Sequence, residues 1–326
     1  MNIPPDQFVL VPADVLQDFI TAVFERTGVR PEEAQYLAKC LVENDLRGVF
    51  SHGTRQAVEY VRKFDAGELN RTPEVKILSE APTTLMIDGD GGLGYYPSYL
   101  LATGLIPKAK EMGIAVGTTR NHGHFGAAGI YARIPVPHDL FCYVTSGHQL
   151  SLTPGRSVLE AAGGSPMAFG LPTSEGAPFV LDFGAMHDLY TGSPHQEEII
   201  ALAPGTVFRS FGLGCVCQAL GGFLCGVPAD ESRAQRVWPM ANQGSFMIVV
   251  DLNRFCPIDQ FKAEMDTYAR KVAEMVPVKG FRRSVLAGAP EWENEQIRST
   301  EGIPISSQHA EMLQGLATRR GLESPV

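Results

Sequence analysis

The chain has 326 residues, with 27 basic against 36 acidic side chains for a formal charge of −9, and 44% of its residues are hydrophobic. A net acidic chain without a basic run excludes nucleic acid as an expected partner, and a charged fraction of 19% excludes extensive disorder. What remains is small-molecule chemistry on a chain long enough to bury a large core in one or two domains.

The start, Met1-Asn2-Ile3-Pro4-Pro5-Asp6, has no basic region followed by an apolar stretch, so no signal peptide is expected and a cytoplasmic location follows. From Pro12 to about Phe64 the pattern is helical. Leu16, Phe19, Ile20, Val23 and Phe24 recur at three-and-four spacing, and Gly28 supplies a stop. A second helix starts at Pro31-Glu32-Glu33, and a third is predicted from about Thr54, placing His52 of Ser51-His52-Gly53 at a helix N-terminus. Residues 65–82 read as a polar connection.

Thr83 to Ile87 is the first predicted sheet strand. It leads into Gly89-Asp90-Gly91-Gly92-Leu93-Gly94, which matches GxGxxG before a helix over Ser98 to Met112. The acid that a dinucleotide fingerprint places about 20 residues on is missing, since that position holds Thr118-Thr119-Arg120, so a plain turn is the expectation. The strand-like Ile114 to Arg120 then runs into Asn121-His122-Gly123-His124-Phe125-Gly126-Ala127-Ala128-Gly129. Glycine-rich turns after strands let a ligand approach closely, and an imidazole titrating near ~6.5 can give or take a proton at neutral pH.

Further strands are predicted at Leu140 to Ser146 and Gly244 to Leu252, with a hairpin of Ala162 to Pro172 and Phe179 to Gly184 at the edge of a site. Met186 to Ser210, with Pro194 and Pro204, reads as loop. Phe211 to Val227 is a buried glycine-rich helix, short of the ~20 residues that span a bilayer, so no membrane partner is expected. Pro257 to Met275 is a helix with Phe261, Met265, Tyr268, Val272 and Met275 inward, and the tail carrying Trp292 and Arg298 is extended, then helical. The domain division expected is a helical segment 1–78 packing with 257–326, and an α/β sheet domain over 79–256. Six cysteines in mostly apolar runs lack metal-binding spacing and read as reduced core residues.

Three chemical readings stay open. His124 is a general acid/base or a loop-capping histidine. His52 is a neutral hydrogen-bonding group with Ser51, while Arg55, Gln56 and Tyr60 hold a substrate carboxylate or are simply structural. His122 and His124, two apart, could join His52 in a three-nitrogen metal site, although no carboxylate or cysteine accompanies them, so no metal is the expectation.

Ser51-His52-Gly53 with Tyr60, Asn121 to Gly129, Asn242-Gln243-Gly244-Ser245-Phe246 and Glu301-Gly302-Ile303-Pro304-Ile305 together resemble the malate/L-lactate dehydrogenase family, which includes ureidoglycolate, sulfolactate and piperideine-2-carboxylate enzymes. The resemblance spans nearly the whole chain, in order. It implies a homodimeric oxidoreductase using NAD or NADP on 2-hydroxy, 2-oxo or cyclic imino acids. The implied α/β fold has a mixed-sheet core, not a standard Rossmann fold, with N-terminal helices and a C-terminal helix. It makes His124 the catalytic acid/base, with His52 and Ser51 beside it, and Arg55, Gln56, Tyr60 and His122 substrate-binding. Cofactor contacts are implied at Ser146, His148, Gly164, Ser165, Asp182, Gly184 and Arg209. Gln56 stands where the family has an arginine, Arg209 where it has a lysine, and the segment after Asp182 is shorter. A chain that keeps the histidine pocket without the nicotinamide site, as a non-redox enzyme or binding protein, is the alternative.

Overall fold

The computed structural model describes residues 5–190 and 192–326. In chain order the elements are β1 (Phe8–Val11), α1 (Ala13–Thr27), α2 (Pro31–Arg47), α3 (Ala57–Asp65), β2 (Lys76–Ala81), β3 (Thr84–Asp88), α4 (Tyr95–Met112), β4 (Ile114–His122), α5 (Gly129–Ala132), β5 (Leu140–His148), β6 (Pro166–Leu171) and β7 (Phe179–Gly184). They continue with α6 (Gln196–Leu202), α7 (Pro204–Gly221), β8 (Gln243–Asp251), α8 (Ile258–Ala273), α9 (Ala289–Glu301), β9 (Ile303–Ser306) and α10 (Ser307–Arg320). Two compact units form: the chain up to Pro73 with everything from Ala269 on, and Glu74–Tyr268. Against the expected limits of 79–256, the sheet unit also takes in β2 and most of α8.

The first unit joins both chain ends. β1 pairs antiparallel with β9, Val11 opposite Ile303. Gly28, at φ 93, closes α1 by donating to Glu25 and Phe24 carbonyls, and Pro31 opens α2 with two acids in its first turn. The Arg47 guanidinium ties α2 to α9 through two bonds to Glu295, of 3.0 and 2.9 Å. The third helix starts at Ala57, later than expected. Tight turns at Phe50–His52 and Thr54–Gln56 precede it, split by an extended Gly53, so His52 sits in a 3-10 turn and not at an α-helix N-terminus. Trp292 and Arg298 lie on α9, which uses Pro290 in its first turn, and not in an extended tail.

The sheet unit carries a seven-stranded mixed sheet, in the order β2-β3-β4-β8-β5-β6-β7. Only β3 and β4 run parallel, and α4 makes their crossover. The expected hairpin is present as β6–β7, starting at Pro166 rather than Ala162, and it forms one edge of the sheet. β2 forms the other, inside the predicted connection. Its residues are exposed and its register shifts between Ile77 and Ser79, which erases the alternation that identifies a strand. The predicted loop over 186–210 holds α6 and the first turns of α7, because Pro204 acts as a helix starter rather than a breaker.

α7 is less buried than expected, with Phe208 73% and Val216 48% exposed. With the turn that follows, the apolar stretch Pro204–Cys225 is long enough to cross a membrane by length and composition, unlike the shorter stretch read from sequence. Its inner face is nevertheless built for a sheet: a Cβ on Gly221 would lie 2.5 Å from the Ser146 carbonyl carbon, and one on Gly214 2.6 Å from Ser165 Oγ. Along α8 no residue is fully buried: of the expected inward stripe Phe261, Met265 and Val272 are half-buried, while Tyr268, 55% exposed, and Met275 face outward.

Candidate active site

Strand directions bring one set of residues to one end of the sheet. β3 ends at Asp88, β4 at His122 and β5 at His148, while Gln243 begins β8 opposite both His122 and His148. Pro166 and Gly184 face each other at the same end of β6 and β7. His124 follows directly from β4 there.

A bulge prepares the turn. The β4–β8 register slips between Thr119 and His122, and Asn121 adopts φ 54, a left-handed conformation that asparagine tolerates. The Gly89 to Gly94 loop then runs alongside. Gly91 N–H donates to the Asn121 carbonyl (2.9 Å), Gly123 N–H to that of Gly92 (2.8 Å), and Gly94 N–H to that of His124 (3.0 Å). Its glycines are close-approach residues, since a Cβ on Gly94 would lie 2.5 Å from His122 Nδ1. The loop is a brace for the histidine turn, in line with the plain turn expected.

His122 is fully buried, and both of its ring nitrogens are spent inside the protein. Nδ1 donates to the Gly123 carbonyl (2.7 Å), which fixes Nε2 as the acceptor from the Thr119 hydroxyl (2.7 Å). Thr119 Oγ1 in turn meets Ser245 Oγ at 2.6 Å. Burial pulls the imidazole down to about 4, so it is neutral at pH 7. This corrects its place among the substrate-binding groups and removes it from any three-histidine metal site. Among the described residues no group of three histidine, cysteine, aspartate or glutamate side chains is arranged to hold a metal. His124 remains partly buried, next to Phe125, whose ring stacks on Tyr131 at 5.3 Å.

Asp182, at the end of β7, accepts the backbone N–H of Gly129 at 2.8 Å. The segment Asn121 to Gly129 is thus anchored at one end by a strand bulge and at the other by the edge hairpin. Next to Gly184, at the end of the same strand, Gly163 (φ 60) and Ser165 (φ 47) turn the backbone left-handed on either side of Gly164, whose own Cβ would meet only Pro166, at 4.0 Å. That leaves an open backbone cradle beside an exposed carboxylate. Such a pair fits the ribose hydroxyls and phosphates of a dinucleotide, the carboxylate accepting and the glycine allowing close approach.

Other expected cofactor contacts differ. The buried Ser146 hydroxyl donates to the Gly244 carbonyl (2.7 Å) and that of Ser165 to Ala162, so both are internal ties and not ligand donors. The His148 backbone is held at both N–H (3.2 Å) and carbonyl (2.7 Å) by Gln218 of α7, and burial lowers its ring's proton affinity. Gly184 is small because a Cβ would lie 3.0 Å from the Gly164 carbonyl oxygen. Arg209 is exposed in the second turn of α7.

In the first unit, Ser51 Oγ lies 2.9 Å from His52 Nδ1, and burial lowers the His52 pKa, which favours a neutral ring. Gln56 Nε2 donates to the Ser51 carbonyl (2.7 Å) and Arg55 to Gln308 Oε1 (3.0 Å). These bonds brace the turn or its neighbour, and both side chains stay half-buried. Tyr60 is 1% exposed, a core residue of α3.

Beneath the turn lies a network that sequence reading missed. Asp45 Oδ2 accepts both the Thr54 N–H (2.9 Å) and hydroxyl (2.6 Å), and that hydroxyl lies 3.0 Å from His309 Nε2. Asp45 is fully buried, and burial pushes its carboxyl up to about 7. Gly53 is required by this carboxylate, because a Cβ there would fall 1.7 Å from Asp45 Oδ1.

Residues 11–186 and 191–314 match the malate/L-lactate dehydrogenase family. The chain belongs to that family. It is 28% identical to malate dehydrogenase of Pyrococcus horikoshii, over 98% of this chain and 97% of that one. It is 25% identical to L-sulfolactate dehydrogenase of Methanocaldococcus jannaschii, over 93% and 95%. The solved structure of the Pyrococcus horikoshii malate dehydrogenase superposes with a TM-score of 0.83 at 26% identity, covering 99% of this chain and 98% of that one. The mixed-sheet architecture is therefore that of the family, and the chain is an oxidoreductase.

Proposed function

We propose that this family member moves a hydride between nicotinamide and C2 of a small 2-hydroxy or 2-oxo acid, or of a cyclic imino acid. The observation carrying this reading is the division of labour within one turn. His122 has both nitrogens committed to the fold, while the adjacent His124 is partly buried on a backbone anchored at both ends. An imidazole carried on a braced turn at a sheet end suits proton transfer.

His124 takes the proton from the C2 hydroxyl in oxidation and returns it to the carbonyl oxygen or imine nitrogen in reduction. The nicotinamide, when bound, supplies or accepts the hydride. His52, kept neutral by burial and paired with Ser51, donates a hydrogen bond to the substrate. Asp182 and the Gly164 cradle hold the ribose-phosphate part of the cofactor. NAD and NADP both fit this description, and relatives named for malate and sulfolactate point to small acids as substrates. A homodimer in the cytoplasm completes the reading.

Titration with NADH and NADPH tests it. At least one should change its fluorescence on binding and raise the melting temperature, because a ligand of the native state stabilises it. No response to either at millimolar concentration would contradict the reading.

A further inference from the structure

A cavity of about 550 Å³ opens at the same end of the sheet, walled by Asp88, Asp90 and Arg120 on one side and by the segment between α7 and β8 on the other. His124 does not line it, and neither do the residues assigned to the cofactor. Its volume lies in the range of small-molecule sites.

The hydrogen-bonding balance of its walls defines what would fit. Both carboxylates already have donors from the protein: Asp88 accepts from Arg120 Nε (3.0 Å), Asn121 Nδ2 (2.8 Å) and Asp90 N–H (2.8 Å), and Asp90 accepts from Glu74 N–H (2.8 Å). Facing them, Arg236 is 19% exposed and held in place by one bond to Gln149 Oε1 (3.2 Å) and a looser approach to Glu231 (3.6 Å). Arg233 stands 4.0 Å from Asp230, too far for a hydrogen bond. A guanidinium carries five N–H donors, so this wall has donors in excess and calls for an acceptor-rich partner. The Trp238 indole completes the wall, packed where Gly91 leaves room: a Cβ on Gly91 would lie 2.0 Å from Trp238 Cδ1.

We propose that this cavity binds a small organic anion. Its carboxylate or phosphate is held by Arg236 and Arg233, and its carbon frame lies against Trp238. The site is separate from the groups that carry out hydride and proton transfer.

The chain has two tryptophans, so Trp292→Phe leaves Trp238 as the only indole reporter. Inorganic phosphate, glycerol 3-phosphate and malate are titrated separately into the full-length Trp292→Phe protein, following fluorescence and melting temperature. The expected result is a saturable fluorescence change with a rise in melting temperature for at least one organic probe. Affinity should fall at least about tenfold with Arg236→Gln, which removes charge-assisted bonds. Arg233→Gln, at a side chain 68% exposed and so harmless to folding, should also weaken it. His124→Ala should leave it unchanged. Three results would overturn the proposal: no saturable response to any probe at tens of millimolar, a response unaffected by both arginine substitutions, or a response lost with His124→Ala.

Discussion

The Thr119 hydroxyl lies 2.7 Å from His122 Nε2, and this contact, with the Nδ1 bond to Gly123, holds a neutral imidazole under the turn that presents His124. The two histidines, separated by a single glycine, differ in burial: His122 is fully enclosed, while His124 is half-buried.

His122 makes stability pH-dependent. Its folded pKa, about 4, lies below the unfolded value near 6.5, so the unfolded chain binds the extra proton between those limits. Its contribution is complete above about pH 6.5, is lost as pH falls, and amounts to about 3 kcal/mol by pH 4. His309, also pulled down to about 4, acts in the same direction. Asp45, raised to about 7, acts in the other, its term being lost as pH rises from its ordinary value through 7. Four histidines lowered by burial (His122, His309, His52 and His148) oppose two carboxylates raised by it (Asp45 and Glu33), which leaves stability falling with acidification from pH 6.5 to 4. Urea unfolding across that range should show a shallower fall in His122→Asn, whose amide can keep one donor and one acceptor but does not titrate. An identical slope in both proteins would count against this assignment.

Gly53→Ala should destabilise the protein by about 1 to 3 kcal/mol, the usual cost of overpacking, because its Cβ would overlap Asp45 Oδ1. Asp45→Ala has its own cost through the lost bonds to Thr54. The double variant should cost clearly less than the sum of the two, since the clash is then absent. Strict additivity in denaturant melts would show that the two residues do not meet.

The seating of α7 on β5 should control cofactor affinity. Gly221→Ala puts a methyl 2.5 Å from the Ser146 carbonyl carbon, and the backbone there cannot yield as a flexible side chain would. A loss of about 1 to 3 kcal/mol of stability and a weaker Kd for NADH are expected. Gly212→Ala, at a helical position with open space, serves as the control: it should raise stability by about 0.5 to 1 kcal/mol, the helix preference of alanine over glycine, and leave the Kd unchanged. Equal effects at both positions would argue against a specific helix-to-strand contact.

Much of this fold was legible where one physical rule acted alone. Gly28 ended α1, Pro31 began α2, and the apolar runs at 114–120, 140–146 and 244–252 became strands. Legibility failed where tertiary context reversed a local cue. Pro204 begins a helix instead of breaking one, and the fully exposed β2 has no burial alternation to display. At the site, the Ser-His-Gly and Asn-to-Gly129 segments were recognisable as motifs, but their spacing could not separate His122 from His124. That distinction arises from a bulge and from Thr119 and Ser245, partners that are distant in spacing or carry no signature. Arg233, Arg236 and Trp238 sat in a segment without periodicity, so only the folded cavity brought them together.

The most direct test of the central claim is turnover of His124→Ala with NADH or NADPH and a panel of 2-oxo acids, measured beside the cofactor Kd of the same protein. The account predicts that kcat falls by about 10² to 10⁴, the usual contribution of a positioned acid/base, while the cofactor Kd stays within about twofold. Turnover equal to that of the unaltered chain would contradict it.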